Sequence, residues 1–173
     1  MEWDKERIGV KSGTFTILTQ AHVWCLQFCR RNCDRLIVVI NDDDYLVKKK
    51  GFCAVPAEER KAVLEGLKCV DEVIIYSGPN ENNILQWVRD EYDEDFYDVI
   101  LFHSEETKGK EVIPGTGVAS EIVYCPQYKS SSTSDIMERV ENAAAQRTLD
   151  LLGLGKCASE SNACAPPSST QDT

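Results

Sequence analysis

The residues best placed to do chemistry lie near the N-terminus, in the run Gly13-Thr14-Phe15-Thr16-Ile17-Leu18-Thr19-Gln20-Ala21-His22. This run follows an expected strand over Ile8–Ser12 and opens an expected helix from His22 towards Arg30. A glycine-marked turn between a strand and a helix N-terminus is a natural phosphate site. Backbone N–H groups of Gly13, Thr14 and Phe15 face outward there, and the helix dipole is positive. Thr19 and His22 sit three apart, close to one helical turn. The imidazole of His22 can donate to a phosphate as a cation or as a neutral N–H donor. The Thr19 hydroxyl can hydrogen-bond a phosphate but carries no charge. A second phosphate-binding run is Ser132-Thr133-Ser134, three hydroxyls at the expected start of a long helix.

These groups need a scaffold, and the rest of the chain supplies an alternating one. Leu36–Ile40 is an unbroken apolar run with β-branched residues, the pattern of a strand buried on both faces. Val70–Tyr76, Val99–Phe102 and Ile122–Cys125 read the same way. Helical stretches fall between them at His22–Arg30, Ala57–Lys68 and Asn83–Glu91, with Pro56 before the second. Asp42–Asp44 and Lys48–Lys50 read as a loop after the second strand. A last helix is expected over Thr133–Leu152, ended by Gly153. Strands alternating with helices imply right-handed crossovers and a parallel sheet covered by helices on both faces. The fold class is therefore α/β, one domain over residues 1–155. Beyond about Lys156 the composition turns to Ser, Ala, Pro, Asn and Thr, the pattern of a disordered tail over 156–173. In such sheets ligands bind beyond the C-terminal strand ends. The turn at Gly13, the Asp43–Lys50 segment and Ser130–Ser134 all fall there.

The bulk numbers exclude several classes. The chain has 173 residues, 42% hydrophobic and 28% charged, ordinary for a globular domain with a real core. Its formal net charge is −10, which argues against nucleic acid or an anionic membrane surface as a partner. Against that background the basic cluster Lys48-Lys49-Lys50 stands out. No apolar run approaches the roughly 18 residues needed to span a bilayer. With no export signal in view, the expected location is the cytoplasm, and the eight cysteines are expected to stay reduced.

Four ordered blocks resemble the cytidylyltransferase-like nucleotidyltransferases. The Gly13–His22 run is similar to their G-x-F-D-x-x-H/T-x-G-H signature, with Thr16 in place of Asp and Ala21 in place of Gly. Val38-Val39-Ile40-Asn41-Asp42-Asp43 with Lys50-Gly51 resembles their strand, N-x-D and K-G element. Glu59-Arg60 followed by Val70-Asp71-Glu72-Val73 resembles their E-x-R and V-D-E-V element. Ser131-Ser132-Thr133-Ser134-x-Ile136 resembles their I-S-S/T-T-x-I motif, with Ser131 in place of Ile. The likeness covers about residues 8–140 and is nearest to the branch of ADP-heptose synthase and glycerol-3-phosphate cytidylyltransferase.

That resemblance implies a Rossmann-like fold and transfer of CMP or AMP from CTP or ATP to a phosphorylated sugar or polyol, with release of pyrophosphate. It implies that His22 stabilises charge on the α-phosphate, with Thr19 beside it, and that Lys50 neutralises triphosphate oxygens. It implies that Asp43 lies near the nucleotide, that Ser132, Thr133 and Ser134 contact phosphate, and that Arg60 contacts the second substrate. Magnesium is expected to accompany the triphosphate. The small molecules are the expected partners, and a homodimer is kept open. The alternative is a non-catalytic nucleotide-binding or regulatory module, suggested by Thr16, Ala21 and Gln127, which stands where the glycerol-3-phosphate enzymes have Arg. Cys25, Cys29 and Cys33 fall at i, i+4 and i+8 on one helix face. With no C-x-x-C turn and no fourth ligand they read as core residues, so no protein-bound metal is expected. His103 reads as a strand-end residue facing the base.

Overall fold

The computed structural model describes residues 5–77, 81–92, 97–109, 119–128 and 133–152. Five strands form one parallel sheet: β1 (Glu6–Gly13), β2 (Arg35–Asn41), β3 (Glu72–Tyr76), β4 (Tyr97–Ser104) and β5 (Glu121–Cys125). Their order is β3-β2-β1-β4-β5. Every pairing is parallel. The order reverses between β1 and β4. A doubly wound sheet opens a crevice at that switch point, because the connections leave on opposite faces.

Side-chain alternation divides the core into two layers. Leu36, Val38, Ile40, Ile100 and Phe102 face one way and pack with Leu26 and Cys29 of α1 (Gln20–Arg31) and Leu64 of α3 (Ala57–Glu65). Ile8, Val10, Ile37, Val39, Val99 and Leu101 face the other way and pack with Leu85 and Val88 of α4 (Glu81–Glu91). Helices thus cover both faces, as the unbroken apolar runs of β2 and β4 require. The chain groups into two compact units, Met1–Thr133 and Ser134–Thr173. The sheet belongs to the first. The described part of the second is the helix α5 (Thr133–Leu151), apart from its first residue. The tail expected over 156–173 lies outside the described residues. No helix among the described residues is long and apolar enough to cross a membrane.

The structure corrects the expected loop after β2. Asp43–Lys50 forms a helix, α2. The Asp42 carboxylate caps it by accepting from the Tyr45 N–H at 2.7 Å. Asp43 and Asp44 occupy its first turn and Lys48–Lys50 its last, matching the helix dipole. Gly51 ends it at φ 82°, a left-handed conformation that glycine adopts without strain. Only Leu46 of this helix is buried, so there was no apolar stripe to read. The V-D-E-V block also acquires a structural role. The Asp71 carboxylate accepts from the Leu36 N–H at 2.7 Å and from Arg30, and Glu72 pairs with Arg35 at 2.8 Å. These contacts tie the start of β2 to β3.

Candidate active site

A cleft of about 340 Å³ opens above the C-terminal strand ends at the switch point. It is bounded by the β1 exit, the first turns of α1, the β4 exit at Ser104–Glu106 and the β5 exit at Cys125–Tyr128. Its size suits a small-molecule site. Of the residues singled out in the sequence, Gly13, Thr14, Phe15, Thr19, His22 and Thr133 line this cleft. Thr133 also reaches the Ile17 carbonyl with its hydroxyl, at 3.5 Å. Asp43, Lys50 and Arg60 lie outside the lining. Ser134 is exposed on α5 in the second unit, and Ser132 lies outside the described residues. His103 is buried in β4 opposite Tyr124 and does not line the cleft.

α1 begins at Gln20, two residues earlier than expected, which makes Thr19 its N-cap. The Thr19 hydroxyl accepts from the His22 N–H at 3.5 Å, and the Thr19 N–H donates to His22 Nδ1 at 3.1 Å. This is a capping box in which histidine takes the place of the usual Glu or Gln. A backbone hydrogen bond to Nδ1 favours the tautomer whose ring proton is on Nε2. Burial pushes the His22 pKa below its ordinary value. The Cys25 charge opposes that, and Lys11 and Lys50 add to it. A bond to the Ile17 backbone also favours the charged ring, but burial outweighs it, and the histidine is biased towards its neutral form and held in one orientation at a helix N-terminus. Protonation below its ordinary pKa of 6.5 favours the unfolded chain, so this group's contribution to stability is lost as pH falls through its lowered folded value.

The turn before it is built for close approach. Phe15 has φ 44°, in the left-handed region that bulky side chains avoid, and is 7% exposed. Its ring packs edge-on against His22 with centroids 5.2 Å apart. A Cβ on Gly13 would meet the Phe15 ring at 2.6 Å. Gly13 is thus required by the ring that buttresses the histidine. Gly13→Ala is expected to cost about 1–3 kcal/mol in urea unfolding through overpacking, and to weaken ligand-induced thermal stabilisation by displacing Phe15.

Lys50 is the one residue of the basic cluster that reaches the turn, with Nζ 3.4 Å from Thr14 Oγ1. Lys49 instead lies over the Tyr45 ring. Arg60 is buried at 3% exposure and serves the same loop from behind. Its guanidinium donates to the carbonyls of Thr14 at 2.8 Å, Asn41 at 2.9 Å and Val55 at 2.9 Å, and to Asp43 Oδ1 at 2.9 Å. Asp43 also accepts from the Ala57 N–H and the Cys53 thiol. Its burial alone would raise its pKa, but the bonds from Cys53, Arg60 and Ala57 outweigh that and hold it below its ordinary value. These two residues lock the glycine turn, the end of β2 and the starts of α2 and α3 together.

Two features escaped the sequence reading. Lys11, 8% exposed, stands in β1 two residues before Gly13 and lines the cleft floor. A lysine inside an apolar strand is costly unless it serves a site. That was the available signal. Trp24 and Tyr128 line the opposite wall with ring centroids 5.3 Å apart, joined by a bond from Gln20 to the Tyr128 hydroxyl at 2.9 Å. They come from distant parts of the chain, and no local pattern pairs them.

Comparison with known proteins agrees with this geometry. The family described as cytidylyltransferase-like matches residues 10–139. The chain is 30% identical over 139 residues to the bifunctional protein HldE of Halorhodospira halophila, covering 79% of this chain. It is 33% identical over 142 residues to the bifunctional protein HldE of Pseudomonas syringae, again covering 79% of this chain. It spans 28% of the length of each of those relatives. The fold resembles that of the lipopolysaccharide core biosynthesis protein of Thermoplasma volcanium, with a TM-score of 0.55 and 22% identity. That likeness covers 72% of this chain and 99% of the other. With the signature turn, the switch-point cleft and the sequence match in one place, the chain belongs to the cytidylyltransferase-like family.

Proposed function

We propose that this chain is a nucleotidyltransferase that moves CMP or AMP from CTP or ATP to a phosphorylated sugar or polyol and releases pyrophosphate. The observation that carries this reading is the His22 imidazole, held by the Thr19 capping box at the α1 N-terminus in a cleft that Lys11 and the Gly13 turn also line. The acceptor phosphate oxygen attacks the α-phosphorus in line. A new P–O bond forms and the bond to the bridging α–β oxygen breaks, so pyrophosphate leaves. Little covalent work falls to the protein, and positioning with charge stabilisation does the rest. His22 donates to the α-phosphate oxygen as charge builds there. Lys50, near the turn, and the backbone N–H groups of α1 hold the triphosphate. Magnesium arrives chelated to the triphosphate as part of the substrate. The Asp43 carboxylate is occupied by Arg60, Ala57 and Cys53, and among the described residues the acids that line the cleft are Glu105 and Glu106.

The test is a pyrophosphate-release screen of CTP, ATP, UTP and GTP against sugar and polyol phosphates, paired with thermal shifts. Turnover is expected with CTP or ATP and one acceptor class. The nucleotide used should add about 2.7 kcal/mol of stability at a hundredfold excess over its Kd. Stabilisation without turnover for any pair leaves a nucleotide-binding module. A flat thermal response to all four triphosphates removes both readings.

A further inference from the structure

The cysteine pattern changes meaning in three dimensions. Cys25 and Cys29 lie one turn apart on α1, and Cys125 is the last residue of β5, nearly a hundred positions away. Their three sulfur atoms all lie within 4.8 Å of one another, and Cys29 Sγ is 3.4 Å from Cys125 Sγ. Cys33, the third member of the row seen in the sequence, is not part of this group. α1 ends at Arg31, and the Cys33 thiol donates to the Cys29 carbonyl at 3.2 Å. Its sulfur packs where a Cβ on Gly9 would otherwise stand, 2.6 Å away. Cys33 is an ordinary core residue. The other three converge on one point.

We propose that Cys25, Cys29 and Cys125 form a zinc site of three thiolates whose fourth position faces the cleft. Zinc–sulfur bonds of about 2.3 Å in a tetrahedron place sulfur atoms about 3.8 Å apart, so the observed triangle needs only small adjustments. Two ligands on consecutive turns of a helix and a third on a strand end are held by well-packed elements, with Cys29 fully buried. Cys25 and Cys125 line the cleft, which provides the access route and the open side. A three-ligand zinc ion with an open position is the arrangement of sites that also hold water or a small ligand. It answers the missing fourth ligand that favoured a core reading of these cysteines.

The electrostatics fit a metal as well. Hydrogen bonds from the Cys125 and Cys29 thiols hold Cys25 well below the ordinary thiol range, and the charges of Lys11 and His22 act in the same direction. Three thiolates and one divalent cation leave a net charge of −1, which the buried Lys11 ammonium beside them offsets. Zinc ligation needs deprotonated thiols, so binding releases protons and affinity rises with pH.

The test uses the full chain, reduced and stripped of metal, titrated with Co²⁺ and then with Zn²⁺. The expected result is one equivalent of cobalt, with thiolate-to-cobalt charge-transfer absorption and the visible bands of a tetrahedral ion, both removed by zinc. Cys25→Ser, at a half-buried cleft position, should abolish the charge-transfer signal. It should also weaken zinc by more than the roughly 100-fold that loss of an outer-shell partner costs. Cys125→Ala should do the same, and circular dichroism checks that each variant is folded. Cys33→Ser and Cys69→Ser should bind as the parent does. Absence of a charge-transfer band in the parent overturns the proposal. So does a band that survives in folded Cys25→Ser.

Discussion

His22→Gln is expected to lower turnover about 100- to 1000-fold while leaving stability within about 1 kcal/mol of the parent. The separation follows from the two jobs the histidine performs. As the fourth residue of a capping box it accepts from the Thr19 N–H, a task that glutamine performs well in that position. As a charge stabiliser its imidazole lines the cleft, and a glutamine that folds back to Thr19 cannot take its place there. His22→Ala should lose both, adding roughly 1 kcal/mol of capping energy to the same kinetic defect. If the group acts on the transition state, kcat falls while the Kd for the triphosphate changes little. The measurements are steady-state kinetics with the pair found in the pyrophosphate screen, triphosphate titration and urea unfolding. Equal turnover in the parent and both variants would remove His22 from the chemistry and leave Lys11, Lys50 and the α1 N-terminus to carry it.

Arg60→Ala is expected to destabilise the fold by about 3–5 kcal/mol, the largest equilibrium effect of any substitution near the cleft. The side chain is almost fully buried, and its loss leaves the carbonyls of Thr14, Asn41 and Val55 without their donor. Each unsatisfied buried acceptor costs about 1–3 kcal/mol, partly relieved by water. The Asp43 carboxylate contributes little to this sum, because it is 45% exposed and solvent can replace its partner. Lysine should not rescue the variant, since one ammonium on a flexible stem cannot span acceptors arranged around a planar fork. The Thr14 carbonyl is one of the bonds lost, so triphosphate affinity should fall with stability. Urea midpoints at constant slope read the first effect. An unchanged midpoint would mean that Arg60 is not a staple and is free to meet the second substrate, as the family resemblance implies.

The alternating strands and helices, the parallel sheet and the position of the glycine turn at a strand exit were legible in the chain itself. The reason is local. Buried parallel strands need continuous β-branched runs, and Leu36–Ile40 and Val99–Phe102 supply them whatever surrounds them. The Gly13 turn was legible for a similar reason, since it is made within one short segment, but the capping box of Thr19 and His22 was not, because the helix was expected to begin only at His22. α2 was missed because it buries one side chain and is held by its capping acid, its charge distribution and Gly51. The sequence read those same residues as a loop.

Only the tertiary structure decided what depends on distant residues meeting. Arg60 lies near the site but points into the scaffold, because three loops bring their carbonyls to it. Lys11 becomes a cleft cation because β1 ends at the switch point of the sheet. Cys125 stands by Cys25 and Cys29, a meeting that no local pattern foretells, because β5 runs parallel to β4 and ends beside α1. Helical and strand periods are written into neighbouring residues. The identity of the third sulfur is written only into the order of the strands.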